Sequence, residues 1–203
     1  VNALRSSALD MNAADSGSVA FSVAGTNTYM IGSLSGARTI SLGSNTINVG
    51  GNGGSTTFSG TLAGTGGMVK SGTGVLTLSG QSSYSGGTAL AAGAILVGDD
   101  AALGTGTVTI TSGTLSSNGS SARTLANAVA FAGDATLGDA TNRGSLQING
   151  TTDLGGANRT ITAASDITLS GSVSNGGIIK AGSGVLTLGS ANSYSGGTTI
   201  NAG

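Results

Sequence analysis

One stretch of this chain occurs twice without a gap. Residues 67–93 recur as residues 177–203, so that Lys70 corresponds to Lys180 and Tyr84 to Tyr194 at an offset of 110 residues. Both copies consist of short alternating apolar segments separated by glycine turns. A repeat of this kind is typical of a solenoid, in which each unit buries its apolar face by stacking on its neighbours. The repeat therefore predicts a structural rod rather than a catalytic domain.

Composition indicates that the chain is folded. The 203 residues include 39 Gly and no Pro or Cys, with 37% apolar residues, 7% charged residues and a net charge of −1. Disordered chains combine high net charge with low hydrophobicity, and this chain has neither property. At about 20 residues per coil, the length suits roughly ten coils. We expect one β-solenoid segment over residues 1–203, with repeat modules at 67–93 and 177–203.

Short segments that alternate apolar and polar residues predict strands along the whole chain. Val75–Leu78 and Val185–Leu188 are examples, rich in β-branched or aliphatic residues and bounded by Gly or Ser. The nearest approach to a helical pattern is residues 122–131. Thr124, Asn127 and Val129 are weak helix formers, however, and no capping residue precedes them. The sequence therefore predicts an all-β fold.

Two all-β architectures fit these strands: an antiparallel sandwich or barrel, and a parallel β-helix. Four Asn-Gly dipeptides, beginning at Asn52, Asn118, Asn149 and Asn175, favour hairpins. Asn52 and Asn118, however, lie in polar tracts without alternating strands on both sides. Aromatic residues suited to cross-strand pairs make up only 3% of the chain. Small and β-branched side chains instead suit ladders of coils about 4.8 Å apart, which favours the parallel β-helix.

Several classes of function are excluded or weakened by missing residue types. Without His or Cys the chain cannot form a Ser-His or Cys-His nucleophilic pair or the usual zinc site. The side-chain carboxylates are eight Asp, and neighbours such as Asp99 and Asp100 are expected in a turn. Asp134 and Asp139 lie in Gly-rich loops that lack the register of calcium-binding nonapeptides, so they too are expected in turns. We expect no catalytic residue, no cofactor and no metal.

Charge and hydropathy narrow the possible partners. Seven basic residues scattered from Arg5 to Lys180 do not form the cluster that nucleic acid requires. The longest apolar run, residues 89–97, is far shorter than the roughly 20 residues of a membrane-spanning helix. We therefore expect neither nucleic-acid binding nor a membrane span in this segment.

The repeated polar and aromatic residues have structural explanations. Lys70 and Lys180 are expected to keep solvated heads, with their stems along the coil and a hydrogen bond to a turn carbonyl. Replacing either by Gln would then cost about 1 kcal/mol or less. Tyr84 and Tyr194 are expected to be hydrophobic lids over a coil corner.

The repeated glycines and leucines also have expected roles. The pairs Gly86-Gly87 and Gly196-Gly197 are expected to adopt positive φ at tight corners. Four leucines alternate with Thr, are expected to face inward, and so would cost about 2–5 kcal/mol each on truncation to Ala; they are Leu76, Leu78, Leu186 and Leu188.

The order of these residues resembles a known repeat. A Lys-x-Gly-x-Gly-x-Leu-x-Leu segment, a Tyr-Ser-Gly-Gly-Thr element and a strand of small residues resemble the autotransporter-associated β-strand repeat of bacterial autotransporter passenger domains, the passenger-associated transport repeat. The matching positions are Lys70, Gly72, Gly74, Leu76, Leu78, Tyr84, Ser85, Gly86, Gly87 and Thr88, and again Lys180, Gly182, Gly184, Leu186, Leu188, Tyr194, Ser195, Gly196, Gly197 and Thr198. The resemblance implies a right-handed parallel β-helix outside the cell, often the stalk of an adhesin or aggregation factor.

These observations predict a non-enzymatic extracellular scaffold or stalk of an autotransporter-like adhesin, with a host or bacterial surface receptor as partner. A self-assembling filament or biofilm-matrix subunit that stacks copies end to end is the alternative. It is favoured by an expected open end, because the first repeat continues into Ala94–Val97 whereas the second stops at Gly203. A polysaccharide-acting β-helix enzyme is less favoured, because it needs two carboxylates that face one glycosidic bond.

Overall fold

The computed structural model describes residues 4–16, 19–21 and 25–203, and within these ranges it contains strands and turns but no helix. Most strands are three or four residues long, and their central residues alternate between buried and more exposed positions, as the period-two pattern predicts. Residues 122–131, which came nearest to a helical pattern, contribute two of the strands. In chain order the strands are β1 (Leu4–Met11), β2 (Thr28–Gly36), β3 (Ile40–Gly43), β4 (Thr46–Val49), β5 (Thr56–Phe58), β6 (Leu62–Gly64), β7 (Met68–Lys70), β8 (Val75–Leu78), β9 (Thr88–Leu90), β10 (Ala94–Val97), β11 (Val108–Ile110), β12 (Thr114–Ser117), β13 (Arg123–Leu125), β14 (Val129–Phe131), β15 (Ala135–Leu137), β16 (Leu146–Ile148), β17 (Thr152–Ala163), β18 (Ile167–Leu169), β19 (Val173–Ala181), β20 (Leu186–Leu188) and β21 (Thr198–Ile200).

Strand pairing is parallel throughout the described part of the chain. Met68 is paired with Thr88 and Thr88 with Val108, so the chain returns to the same face after 20 residues. About nine such coils stack into a β-solenoid. The β-helix prediction is confirmed, and the hairpin alternative suggested by the Asn-Gly dipeptides is wrong. The right-handed sense of the coil stays a prediction.

The pairings divide each coil among three faces. The first face contains β4, β7, β9, β11 and β14 together with the first residues of β2, β17 and β19. The second contains β1, β5, β8, β10, β12, β15 and β21 together with the last residues of the same three long strands. The third contains the pair β3–β6 and the series β13–β16–β18–β20. Because β2, β17 and β19 continue around a corner, the first two faces form one sheet.

The core is a set of ladders inside the coil. On the second face, Leu76, Ile95, Leu115 and Leu137 follow one another in register, and all four are buried. On the third face, Leu125, Ile148 and Leu169 do the same. Each inward side chain therefore packs above and below on its counterparts, which explains how coils of only about 20 residues bury a continuous apolar interior.

Candidate functional site

The two repeat modules lie on different faces of the solenoid. Lys70 is paired with Val49 and Leu90 on the first face, whereas Lys180 is paired with Ile161 and Ile200 on the second. The leucine strand that follows each lysine is shifted in the same way, since β8 belongs to the second face and β20 to the third. The second module has therefore advanced by one face around the coil. The repeat encodes a local corner that fits at more than one position of the cross-section.

Lys70 lies inside the coil rather than on its surface. Its position in the aliphatic ladder between Val49 and Leu90 is only 1% exposed. The Nζ atom donates hydrogen bonds to the carbonyl oxygens of Ser71 at 2.7 Å and Gly72 at 3.0 Å in its own corner. It donates a third, at 3.4 Å, to the carbonyl of Ala92 one coil further on. Burial lowers the pKa of the Lys70 ammonium.

Lys180 repeats this arrangement in the second module. It is 6% exposed, and its Nζ donates to the carbonyl oxygen of Gly182 at 2.6 Å and to that of Ala202, in the next coil, at 2.7 Å. The predicted hydrogen bond to a turn carbonyl is confirmed, but the predicted solvated head is wrong. An inward strand position and a ring of glycine-rich carbonyls replace water around the ammonium. The expectation of a cost of about 1 kcal/mol on replacement therefore falls as well.

Glycines make room for each lysine head. Gly72 and Gly182 have φ of +68° and +77°, which lets the backbone turn its carbonyls toward Nζ. A Cβ added at Gly93 would lie 2.7 Å from the Nζ of Lys70, and one added at Gly203 would come closer still to Lys180. Gly74 and Gly184 face the backbone of the preceding coil so closely that any side chain there would overlap it; these neighbours include the carbonyls of Gly54 and Ser165.

Tyr84 is enclosed in the core. Its side chain is fully buried, and its hydroxyl is hydrogen-bonded to Thr88 Oγ1, which also donates to the carbonyl of Leu103 at 3.2 Å. Burial raises the pKa of Tyr84. Tyr194 and Thr198 form the same pair at 2.7 Å in a more exposed setting. The hydrophobic role predicted for these tyrosines is confirmed for Tyr84, but it fills the coil rather than covering it. The pairing of the repeated Tyr with the repeated Thr was not foreseen.

The double glycines differ within each pair. Gly87 and Gly197 have φ of +85° and +77°, as predicted. Gly86 and Gly196 are not in the left-handed region; they are needed because a side chain at either would overlap the backbone of the coil before, such as that of Gly66. The prediction of positive φ is thus confirmed for one member of each pair and wrong for the other.

The repeated leucines face inward. Leu76 and Leu78 are buried in the core, which confirms the prediction for the first module. Leu186 and Leu188 pack against the core but stay partly exposed, while Thr187 between them is exposed. The inward direction is therefore the same in both modules, and only the depth of burial differs.

The aspartates serve in turns. Asp99 Oδ1 accepts a hydrogen bond from the amide of Ala101, and Asp100 Oδ1 accepts one from the amide of Thr124 in the next coil. Asp134 Oδ1 accepts from the amide of Thr160. These bonds confirm the predicted turn roles. In the ranges that the structure describes, no three residues of the types His, Cys, Asp and Glu gather into a group that could hold a metal ion.

Grooves run along the outside of the coils at their corners. The largest, of about 390 Å³, follows the double glycine of the first module and is bordered by Gly67, Ser85, Gly87, Thr88 and Thr107 among other residues. Its lining is uncharged. None of the described residues belongs to a helix that is long and apolar enough to cross a membrane.

Comparisons with known proteins agree with this geometry. A profile of the Passenger-associated-transport-repeat family matches residues 68–97 and 178–203, which are the two lysine corners and the strands beside them. The chain is 35% identical over 151 residues to a protein of Brucella suis biovar 1 (strain 1330) described as "Adhesin BmaC autotransporter". That match covers 72% of this chain and about 4% of the relative's length. No solved structure matches the chain.

Proposed function

This chain is autotransporter passenger sequence carrying passenger-associated transport repeats, and we propose that it works as a non-enzymatic β-helix stalk that holds adhesive parts of a longer protein away from the cell. Passenger sequence of this family is extracellular or lies at the bacterial cell surface. The observation that carries the proposal is the unbroken series of parallel pairings from β1 to β21, in which every coil supports the next.

The lysine corners support a load-bearing role. Each ammonium joins its own corner to a carbonyl of the following coil, at Ala92 in one module and Ala202 in the other. Pulling the two coils apart would expose a cation together with the carbonyls that it satisfies, which costs more than separating apolar surfaces alone. Such corners would resist peeling of one coil from the next.

A non-enzymatic role is supported by the residue types of the sequence. The chain has no His, Cys or Glu to serve as the common acids, bases and nucleophiles. The aspartates that were followed above spend their oxygens on backbone amides. The partner of the parent protein would be a receptor on a host or bacterial surface, because the Brucella relative is described as an adhesin.

Projection length tests the stalk proposal. One, two and three tandem copies of residues 4–203 would be displayed on bacteria from the same autotransporter barrel and imaged by cryo-electron tomography. About nine coils at about 4.8 Å predict a gain of about 40 Å for each copy. An unchanged projection would contradict the stalk role. Release of new reducing ends from bacterial or host polysaccharides, lost on Asp99→Asn, would contradict the non-enzymatic role.

A filament or matrix subunit is the second candidate, and the edge strand β21 favours it. β21 is paired only with β19, and Ile200 is 69% exposed although the equivalent Leu90 is fully buried. An apolar edge with free backbone groups is a template for another strand, supplied either by more of the same polypeptide or by a second copy. Sedimentation velocity from low to high concentration separates these cases, because end-to-end stacking predicts growth that Ile200→Lys abolishes.

A further inference from the structure

An unusually long corner lies between the second and third faces. Residues 138–145 connect β15 to β16, whereas the same corner takes only residues 164–166 in the following coil. Beside this loop is a cavity of about 280 Å³, lined by Ala140, Arg143, Ala164, Ser165, Asp166, Ser183 and Gly184. The loop and two turns of the coils that follow it thus enclose one polar pocket, outside both repeat modules' lysine corners.

Hydrogen bonds from both neighbouring coils hold the loop in place. The carbonyl of Gly144 accepts bonds from Ser117 Oγ at 2.9 Å and Ser165 Oγ at 3.2 Å, and both serines are buried. On the other side, Asn142 Oδ1 accepts a bond from the amide of Gly119 at 3.0 Å. The pocket wall is therefore preorganised, and a ligand would not have to order it on binding.

Arg143 supplies a cation to this pocket. Its Nε donates to the carbonyl of Ala140 at 3.0 Å, which orients the guanidinium within its own loop. Within the described ranges, Arg143 takes part in no ion pair. Its terminal nitrogens are thus left to present the planar fork that matches a carboxylate.

Asp166 and Ser183 supply the complementary groups. Asp166 Oδ1 accepts a bond from the amide of Val185 at 3.0 Å, which fixes the carboxylate and leaves Oδ2 as an acceptor. Ser183 lines the same pocket and is exposed. The lining has no aromatic or large aliphatic side chain, so an apolar ligand would find little surface to bury against. A ligand with one anionic group and several hydroxyls fits the lining best.

We propose that this pocket binds one residue of a carboxylated sugar, with its carboxylate on Arg143 and its hydroxyls donating to Asp166 and Ser183. A volume of about 280 Å³ is at the lower limit of small-molecule pockets, roughly 300 Å³, and so suits a single ring. The site gives the stalk a binding function of its own. It does not depend on the stalk role, because the ligand contacts only one corner of the solenoid.

Titration with simple glycosides tests the proposal on the whole 203-residue chain. Methyl β-D-glucuronide would be added to ¹⁵N-labelled protein, with methyl β-D-glucoside and glycine as separate probes. We expect millimolar binding of the glucuronide, with amide shifts centred on Arg143, Ser183 and Gly184. Arg143→Gln should weaken it about tenfold, because a charge-assisted bidentate contact is lost. Arg123→Gln is the matched control, since Arg123 lies on another corner near Asp100, and it should change nothing.

The outcomes separate the alternatives. Asp166→Asn keeps an acceptor for the Val185 amide and should weaken glucuronide binding a few-fold without unfolding the corner. Absence of shifts at about 50 mM glucuronide would overturn the site, as would binding unaffected by Arg143→Gln. Equal binding of the neutral glucoside would overturn the role of the carboxylate. Glycine binding as tightly as the glucuronide would show a site for zwitterions and overturn the sugar assignment.

Discussion

The Nζ atom of Lys70 lies 3.4 Å from the carbonyl oxygen of Ala92, which belongs to the next coil. The same atom bonds two carbonyls of its own corner, and the side chain is almost completely buried. A buried cation is held here by backbone dipoles, without a carboxylate. The arrangement links two coils at a point where the apolar ladder is interrupted.

Lys70→Met should lower the free energy of unfolding by about 2–4 kcal/mol, because it leaves buried carbonyls without a donor. Urea titration gives the overall cost. Because long repeat arrays unfold less cooperatively, hydrogen exchange at the amides of Ser71 and Ala92 should locate the opening. Arg143→Met, at an exposed position, should stay within about 0.5 kcal/mol. A cost below about 1 kcal/mol for Lys70→Met would mean that the ammonium is solvated.

The Tyr–Thr pair gives a matched comparison between the modules. Tyr84→Phe removes a fully buried hydroxyl from Thr88 and should cost about 1 kcal/mol. Tyr194→Phe removes the same bond in an exposed setting and should cost at most about half as much. Thermal or urea unfolding of the two variants measures the difference. Equal costs would show that burial does not set the value of this bond.

Leucine truncation tests the direction of the strand faces. Leu76→Ala should cost about 2–5 kcal/mol, because Leu76 is 1% exposed within a continuous ladder. Leu186→Ala should cost less, since Leu186 is only partly buried. Thr187→Ala should stay within about 0.5 kcal/mol. A larger cost for Thr187→Ala than for Leu186→Ala would show that the strand's faces are reversed.

Sequence patterns predict the strands and their inward sides well. Alternation in Val75–Leu78 is sufficient to place Leu76 and Leu78 inside, because a strand's side chains have a period of two. Parallel pairing follows from the repeat and from the shortage of aromatic residues. The Asn-Gly dipeptides mislead, since Asn52 and Gly53 form a turn within one coil rather than a hairpin between strands.

Contacts between successive coils are what the sequence does not reveal. Lys70 reaches Ala92 only because the coil between them has 20 residues, and no local pattern reports that closeness. The shift of the second module by one face arises from the varying lengths of the intervening coils; 23 residues separate Val129 from its partner Thr152, for example. The pocket beside Arg143 is formed by a loop that occurs once, so no repeat indicates it.

Acid should loosen the loop that Asp139 organises. Asp139 Oδ1 accepts bonds from the amides of Thr141 and Asn142, and its Oδ2 accepts one from the side-chain amide of Asn142. The Thr141 amide, aided by Asn142, holds the pKa of Asp139 below its ordinary value of 3.8. Because the folded pKa is the lower one, the unfolded chain binds more protons between the two values. The carboxylate therefore stabilises the fold above about pH 3.8, and this contribution is lost as the pH falls through the folded pKa.

Asp139→Asn should accordingly cost about 0.5–1 kcal/mol at pH 7, a modest amount because the group is partly exposed and screened by solvent. The difference in unfolding free energy between the variant and the natural chain should be constant above about pH 5 and should shrink toward zero as the pH approaches 2. Urea titrations of both proteins at pH 7, 5, 4, 3 and 2 measure it. Arg143→Gln, a charge change in the same loop that removes no carboxylate, is the control and should follow the natural chain's dependence on pH through this range. A difference that stays constant down to pH 2 would mean that the Asp139 bonds do not require the ionised carboxylate.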